Sequence, residues 1–490
     1  MTGTAPSTSS RRWLALVVLC AGMLMIILDI TIVNVALPSI QDDLGFSQSS
    51  LAWVVNAYLI PFGGLLLLAG RFGDLIGRRR VFLAGLVVFT AASLVCGLAQ
   101  GQGMLIGARF VQGVGGAMAS AVILGMIVTM FPRPGERARA IGIYSFVAAA
   151  GGSIGLLAGG VLTETISWHW IFFVNLPIGV AVVALALRLL EPDRGIGLRA
   201  GADIAGAVLV TAGLMLAVYT IVGAADHGWG SARTLGLGAG ALALLAAFVV
   251  RQATAATPLV PLRIFRSRNI SGANVVQVLM IAGMFGMFFL GALYLQGVLG
   301  YDPLEVGLAF LPLALAIALL SLSAAPRLVV RFGGKATLLP GLAMVAGGLA
   351  LLQRVPVDGT YLTDLFPAML LLGLGAGLAF PALMTLAMSG ATERDSGLAS
   401  GLVNTTQQVG GALGLAVLAT LASSRTDQLL ADGQGGAAAL TGGYHLAFGV
   451  GAGLAVAGIL VAAVVLRSEP QAQAVEAAQP AQVAEAVEAE

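Results

Sequence analysis

Apolar residues run along this chain in long blocks, without the alternation of a half-buried strand or the narrow stripe of a soluble helix. A membrane-crossing helix needs about 20 consecutive, mostly apolar residues. Fourteen stretches meet that need, the first six being 13–36, 51–69, 81–99, 104–130, 138–162 and 171–190. A pair follows at 203–223 and 234–251, and then six more at 270–297, 305–326, 336–353, 364–388, 397–421 and 444–466. The pattern predicts an all-α polytopic membrane protein. Residues 1–12 form a short polar N-terminus, and 467–490, rich in Ala, Gln, Glu and Pro, reads as a disordered tail. The Gly/Ala-rich stretch 422–443 reads as slack between the last two spans.

Composition agrees. Of 490 residues, 58% are hydrophobic and only 10% charged, with a mean hydropathy of +0.96. Soluble domains carry about 25% charged residues, so a water-soluble globular or disordered chain is excluded. The 67 glycines show no collagen-like period, and glycine is more frequent in membrane helices than in soluble ones. A net charge of +2 with scattered basic residues gives no nucleic-acid surface. Cys20 and Cys96 both lie in apolar runs and define neither a disulfide framework nor a metal site.

The basic residues orient the chain. With fourteen spans, one set of loops holds 21 of the 25 Lys and Arg residues, while the alternate loops hold only Arg233, Arg354 and Arg425. Arginine-rich loops face the cytoplasm, so both termini are expected there. Ser10-Arg11-Arg12-Trp13-Leu14 faintly resembles an export signal, but it reads as a positive cytoplasmic flank: the apolar stretch after it is long and lacks a cleavage site. The preference for Arg over Lys, with abundant Ala, Gly and Val, fits a GC-rich bacterial genome and hence a bacterial plasma membrane.

The chain also repeats itself. Leu44-Gly45-Phe46-Ser47 recurs as Leu299-Gly300-Tyr301-Asp302, and Gly70-Arg71-Phe72-Gly73-Asp74-Leu75-Ile76-Gly77-Arg78-Arg79 recurs in worn form around Arg327–Lys335. Two six-helix halves, 13–190 and 270–466, are therefore expected, joined by an inserted helix pair within 191–269. Parallel repeats of this kind are typical of secondary transporters with the substrate site between the halves.

Signals for enzyme chemistry fail. Gly333-Gly334-Lys335-Ala336-Thr337 lacks the Ser/Thr after the lysine that a phosphate loop needs. The histidines at 169, 227 and 445 all sit at span edges and are too scattered for a metal site. Neither a cofactor nor a metal is expected.

Only Asp29 and Arg109 among the charged side chains sit more than four residues inside a span. An ionisable group there costs at least about 2.5–3.5 kcal/mol, so each should have a partner or a function. At about 1.5 Å per residue, both fall roughly 8–11 Å below the same edge of the membrane, so a pair is geometrically allowed. Burial disfavours the carboxylate and a nearby guanidinium favours it. Any movement that separates the two, or a substrate that competes for one, then changes whether Asp29 holds a proton.

Other features are less specific. Gly151, Gly155 and Gly159 form a flat stripe on span 5, widened by Gly152 and Gly160, which suits close helix packing or a sliding contact between the halves. Polar residues inside spans are candidate pocket lining: Asn34, Asn56, Tyr58, Gln112, Tyr144, Asn274, Gln277, Asn404, Gln407 and Gln408. Met280, Met284, Met287, Phe285 and Phe288 give span 9 a soft apolar surface for core or lipid contact.

These motifs together resemble the fourteen-span drug–proton antiporter family of the major facilitator superfamily, from about residue 13 to 466. Leu28-Asp29-Ile30-Thr31-Ile32-Val33-Asn34-Val35-Ala36-Leu37-Pro38 is similar to that family's first-span signature. Residues 70–83 match the superfamily's loop motif, with Leu75 where an Arg is usual, and Arg109-Phe110-Val111-Gln112-Gly113 matches the fourth-span arginine motif. Gly142, Gly151, Gly155, Gly159 and Gly160 fit the fifth-span antiporter motif, with Leu156 in place of a Pro. The stretch from Ser167 to Gly179 resembles the sixth-span entry, with His169 in a position usually Arg.

The resemblance implies roles. Asp29 and Arg109 would couple proton and substrate. Gly70, Gly73, Asp74, Gly77, Arg78 and Arg79 would form a cytoplasmic latch, and the span 5 glycines would allow rocking and block leakage. The implied activity is proton-driven export of small amphipathic compounds by a monomer in the lipid bilayer, with protons as the only co-substrate. The alternatives are a symporter, or a dedicated exporter of one metabolite or antibiotic.

Overall fold

The computed structural model describes residues 8–193, 195–197, 199, 201–389 and 396–467. The expected disordered tail lies outside them beyond 467, as do residues 1–7 of the polar N-terminus. The described chain is helical. Helices α1 (Thr8–Leu44), α2 (Gln48–Ile76), α3 (Arg78–Gly97), α4 (Gln102–Met130), α5 (Pro134–Thr165), α6 (Trp170–Phe173) and α7 (Asn175–Leu189) form a first group. The inserted pair is α8 (Ile204–His227) and α9 (Ala232–Thr254). A second group comprises α10 (Arg268–Gly297), α11 (Pro303–Leu322), α12 (Ala324–Phe332), α13 (Gly334–Leu352), α14 (Phe366–Ser389), α15 (Ser396–Ala431) and α16 (Gly436–Val465).

Thirteen stretches of the described residues are helical, long and apolar enough to cross a membrane. The fifth expected span is not among these thirteen; it coincides with α5, some of whose side chains lie outside the description. Several boundaries differ from those expected. Helix α1 begins before residue 13 and runs eight residues past 36, because Arg11 and Arg12 bond the carbonyls of Arg188 and Met130 and hold the first turn in place. The sixth span runs from Trp170 to Leu189 with one turn residue, Val174, between α6 and α7, and the span expected at 305–326 ends at Leu322, after which α12 starts afresh. The stretch 422–443 is mostly not slack: residues 422–431 extend α15 to Ala431, α16 starts at Gly436, and Gly443 packs on Ala422 and Thr426.

The two repeated sequences adopt the same local structures. Gly45 and Gly300 both terminate a helix with positive φ, +66° and +74°, a conformation that disfavours any side chain. Ser47 then caps α2, and Asp302 caps α11 in a capping box with Glu305. Packing repeats as well: α3 crosses α4 and α13 crosses α14, both at paired glycines. A Cβ on Gly85 would lie 2.8 Å from the Gly115 carbonyl, and one on Gly341 would lie 2.8 Å from that of Gly375. Without a hydrophobic driving force between helices in lipid, such close approach is what holds them together.

The groups meet through two related crossings, α2 with α15 and α5 with α11. At the first, Gly63 lies on Gln408 and Gly401 on Leu67. At the second, Gly160 lies on the Pro303 carbonyl and Gly307 on that of Leu156. Helix α1 also touches α10, where Gln296 Nε2 donates to the Val35 carbonyl at 2.9 Å. Helix α8 packs against both α2 and α15. Met280, Met284 and Met287 are buried in the core, and Phe288 tilts against Phe310.

Candidate functional site

Four helices converge on one buried carboxylate. Asp29 lies midway along α1 and is fully buried; Arg109 on α4 is 1% exposed. Arg109 Nη1 donates to Asp29 Oδ2 at 2.6 Å and to Gln112 Oε1 at 2.6 Å, and its Nε donates to the Val54 carbonyl at 3.0 Å. Gln112, one turn along α4, donates from Nε2 to Asp29 Oδ1 at 2.7 Å and to Ser93 Oγ at 2.8 Å. Asn175, at the start of α7, donates to Asp29 Oδ1 at 3.0 Å and to Ser93 Oγ at 3.4 Å.

Ser93 organises this network. Its own hydroxyl donates to the Phe89 carbonyl at 2.8 Å, so toward the other polar groups it only accepts. An acceptor there turns the NH2 groups of Gln112 and Asn175 toward Ser93 and Asp29, and leaves Gln112 Oε1 for the guanidinium. Arg109 is further held against aromatic rings, with Cζ 4.5 Å from the Tyr58 centroid and 5.7 Å from that of Phe172. The carboxylate thus accepts three donors from two other helices, and its charge balances that of the guanidinium. Contacts to Asp29 and its partners thus join α1, α3, α4 and α7.

Two contributors were legible only in part. Asn175 stands in the sixth-span motif, without a role attached to it. Ser93 carries no sequence signal of its own: a lone serine in an apolar run acquires meaning only once its neighbours are known. Tyr58 and Gln112, both candidates for pocket lining, lie in the ion-pair network. Of the other candidates, Asn34 bonds the Ile30 carbonyl of its own helix, Asn274 bonds Ile270 and accepts from Thr406, and Asn404 is exposed and bonds Ser400. Gln277 and Gln408 are buried, while Tyr144 and Gln407 are half-buried. Asn56 is fully buried with no partner for either side-chain polar atom among the described residues. None of these lines the cavity of about 340 Å³ between the groups.

The loop motif is bound to α4 and to the segment that follows α7, where the Ile196 and Gly197 amides donate to the Asp74 and Leu75 carbonyls. Gly70 and Gly73 lie against Ala121 and Val122 of α4, Asp74 pairs with Arg78 at 3.1 Å, and Arg78 also donates to the Gly125 carbonyl at 3.0 Å. Gly77 ends α2 with φ +105°. The carboxylate at the start of α3 is Asp193, which accepts from the Arg78 and Arg79 amides at 2.6 and 3.1 Å; a negative charge there complements the helix dipole. Arg79 donates to the Leu187 carbonyl at 2.7 Å.

The glycine stripe also faces inward to its own group. Gly151, Gly155 and Gly159 lie on Leu24, Ile27, Leu28, Thr31 and Ile32 of α1, so these three glycines form a packing surface within the first group. The reason is angular: residues at i, i+4 and i+8 share one face, and that face meets α1. Gly160 alone of the motif lies on α11, and Gly142 and Gly152 have open space beside them. Lys335, in the phosphate-loop-like run, bonds the Ala463 and Leu466 carbonyls at the end of α16.

An all-helical bundle in two crossing groups, with a buried carboxylate–guanidinium node in the first, defines a polytopic transporter-type membrane protein. Residues 19–415 match the Major Facilitator Superfamily, and the chain belongs to that family. It is 42% identical over 449 residues to the puromycin resistance protein pur8 of Streptomyces alboniger, covering 90% of this chain and 89% of that one. It is 41% identical over 427 residues to the cephamycin export protein CmcT of Amycolatopsis lactamdurans, covering 87% and 88%. In fold it resembles the bacterial homolog of the human lysosomal transporter Spinster in its inward-facing, unoccupied conformation, with a TM-score of 0.62 at 18% identity over 95% of this chain and 96% of that one.

Proposed function

We propose that the protein is a proton-coupled exporter of small amphipathic, antibiotic-like compounds that works by alternating access between the halves 13–190 and 270–466. The observation that carries the proton coupling is the buried Asp29–Arg109 pair at 2.6 Å, supported by Gln112, Asn175 and Ser93. A proton on Asp29 removes the charge that compensates Arg109 and weakens bonds from α4 and α7 to α1, so proton uptake and helix movement are linked. At a proton-motive force of about 150 mV one proton supplies roughly 3.5 kcal/mol, enough for a substrate gradient of about two to three decades. The named relatives support export of antibiotic-like cargo; puromycin resistance and cephamycin export, two different chemistries, also favour a second reading, a dedicated exporter of one compound.

In this reading the protein is a monomer in a bacterial plasma membrane with both termini cytoplasmic. The proton gradient is its only energy source, without cofactor, metal or enzymatic step. The segment from Gly70 to Arg79 is the cytoplasmic latch, and the α5–α11 crossing at Gly160 is a gate at the other end. The test is substrate-induced proton movement in inverted vesicles, with equal amounts of inserted wild type and Asp29→Asn. Ethidium or another lipophilic cation should collapse an imposed pH gradient only with Asp29 present. An Asp29→Asn variant that behaves like wild type would assign the coupling to another group.

A further inference from the structure

We propose that the cavity between the two groups, at the end opposite the arginine-rich loops, is a second binding site that takes an organic monocation with an apolar body. Its volume of about 340 Å³ falls within the roughly 300–1,000 Å³ of small-molecule pockets. Both groups contribute to its wall: Gln41 and Asp42 of α1 and Gln48 of α2 face Gln296 of α10, Tyr301 and Tyr444. Asp42 is the one charged group in this wall and has no ion-pair partner among the described residues. Gln48 Nε2 is buried without a partner. Tyr301 and Tyr444 add aromatic surface, which attracts cations at its faces. One carboxylate balances one positive charge, and the amides serve hydroxyl or amine groups beside it.

The floor separates this site from the ion-pair network. Gln296 Nε2 bonds the Val35 carbonyl and so joins α10 to α1 between the cavity and Asp29. Asp42 lies thirteen residues beyond Asp29 on the same helix, about 20 Å away. The two carboxylates differ in availability. Asp29 is occupied by Arg109, Gln112 and Asn175, whereas Asp42 is exposed and open to a ligand. The exit-side role of the cavity rests on the export reading above; occupancy of the cavity does not.

The experiment uses a cysteine reporter in the full chain in nanodiscs, with ethidium as the probe. Both native thiols, Cys20 and Cys96, are buried, so a Gln41→Cys variant presents one reactive thiol in the cavity wall. Saturating ethidium should slow its modification by a charged thiol reagent about tenfold, equivalent to roughly 1.4 kcal/mol, and Asp42→Asn in the same background should remove the protection. Leu440→Cys reports from the opposite wall and guards against a local effect at position 41. Unprotected thiols at both positions, or protection that survives Asp42→Asn, would overturn the site. Equal protection by an uncharged aromatic of the same size would overturn its preference for a cation. Labelling needs no proton gradient, so protection in a chain that fails to export ethidium leaves the site standing and counts against export of lipophilic cations alone.

Discussion

Two fully buried carboxylates in this protein have nearly the same set of partners and quite different settings. Asp29 accepts from an arginine, a glutamine and an asparagine; Asp203 accepts from Arg251 Nε at 3.0 Å, Gln252 Nε2 at 2.9 Å and the Gly206 amide at 2.9 Å. Arg109 is 1% exposed, however, whereas the Arg251 side chain is 46% exposed. Asp203 caps the first turn of α8, and its side-chain partners come from the neighbouring α9, with Gln252 also tying down Val260. It fastens a hairpin at the membrane edge. Asp29 sits mid-helix with partners on α4 and α7, where moving any one helix changes its environment. Similar bonds therefore make a staple between neighbouring helices in one place and a junction of three helices in the other.

The largest expected effect is a difference between two double-mutant cycles. Removing one member of a buried ion pair leaves an uncompensated charge and costs about 3–5 kcal/mol. Asp29→Asn and Arg109→Gln should each lower unfolding stability by about 3 kcal/mol, and the double variant by much less than their sum, with a coupling of about 2 kcal/mol. The matching cycle with Asp203→Asn and Arg251→Gln should give a coupling of about 0–1 kcal/mol, because solvent screens Arg251. Denaturant unfolding in detergent measures both; equal couplings would erase the distinction between the nodes.

Next in size, Asp203→Ala should cost about 1–2 kcal/mol through the lost cap of α8 while ethidium-driven proton movement in vesicles stays at the wild-type level. Loss of that coupling would make the inserted pair part of the proton machinery. Ser93→Ala should cost about 1 kcal/mol, and it frees Gln112 and Asn175 to turn their amides. A changed pH dependence of transport with little loss of protein is the expected signature, read from vesicle assays at stepped pH. Smallest of all, Arg251→Gln alone should change stability by about 0–1 kcal/mol, measured by thermal unfolding, and transport not at all.

Much of this contrast was legible along the chain, and some of it was not. The apolar blocks located the membrane helices, and the depth of Asp29 and Arg109 within them brought the two to one level. Those readings rest on lipid, which tolerates only long apolar helices and penalises an unpaired charge. The helical ends were misplaced where local packing overrode hydropathy, as with the mostly polar residues 422–431 that continue α15. Motif spacing marked the span 5 glycines but not the helix they would meet.

The sequence by itself determined what must cross the membrane, which two charges must find partners there, and that the design occurs twice. These follow from composition and spacing read against a solvent that has no hydrogen bonds to offer. Tertiary structure alone decided that Ser93 orients the amides, that Gln112 joins Asp29, that Asp193 caps the loop motif, and that the glycine stripe faces α1. Each depends on the rotation of one helix against another, and that rotation is set by close packing among many residues at once.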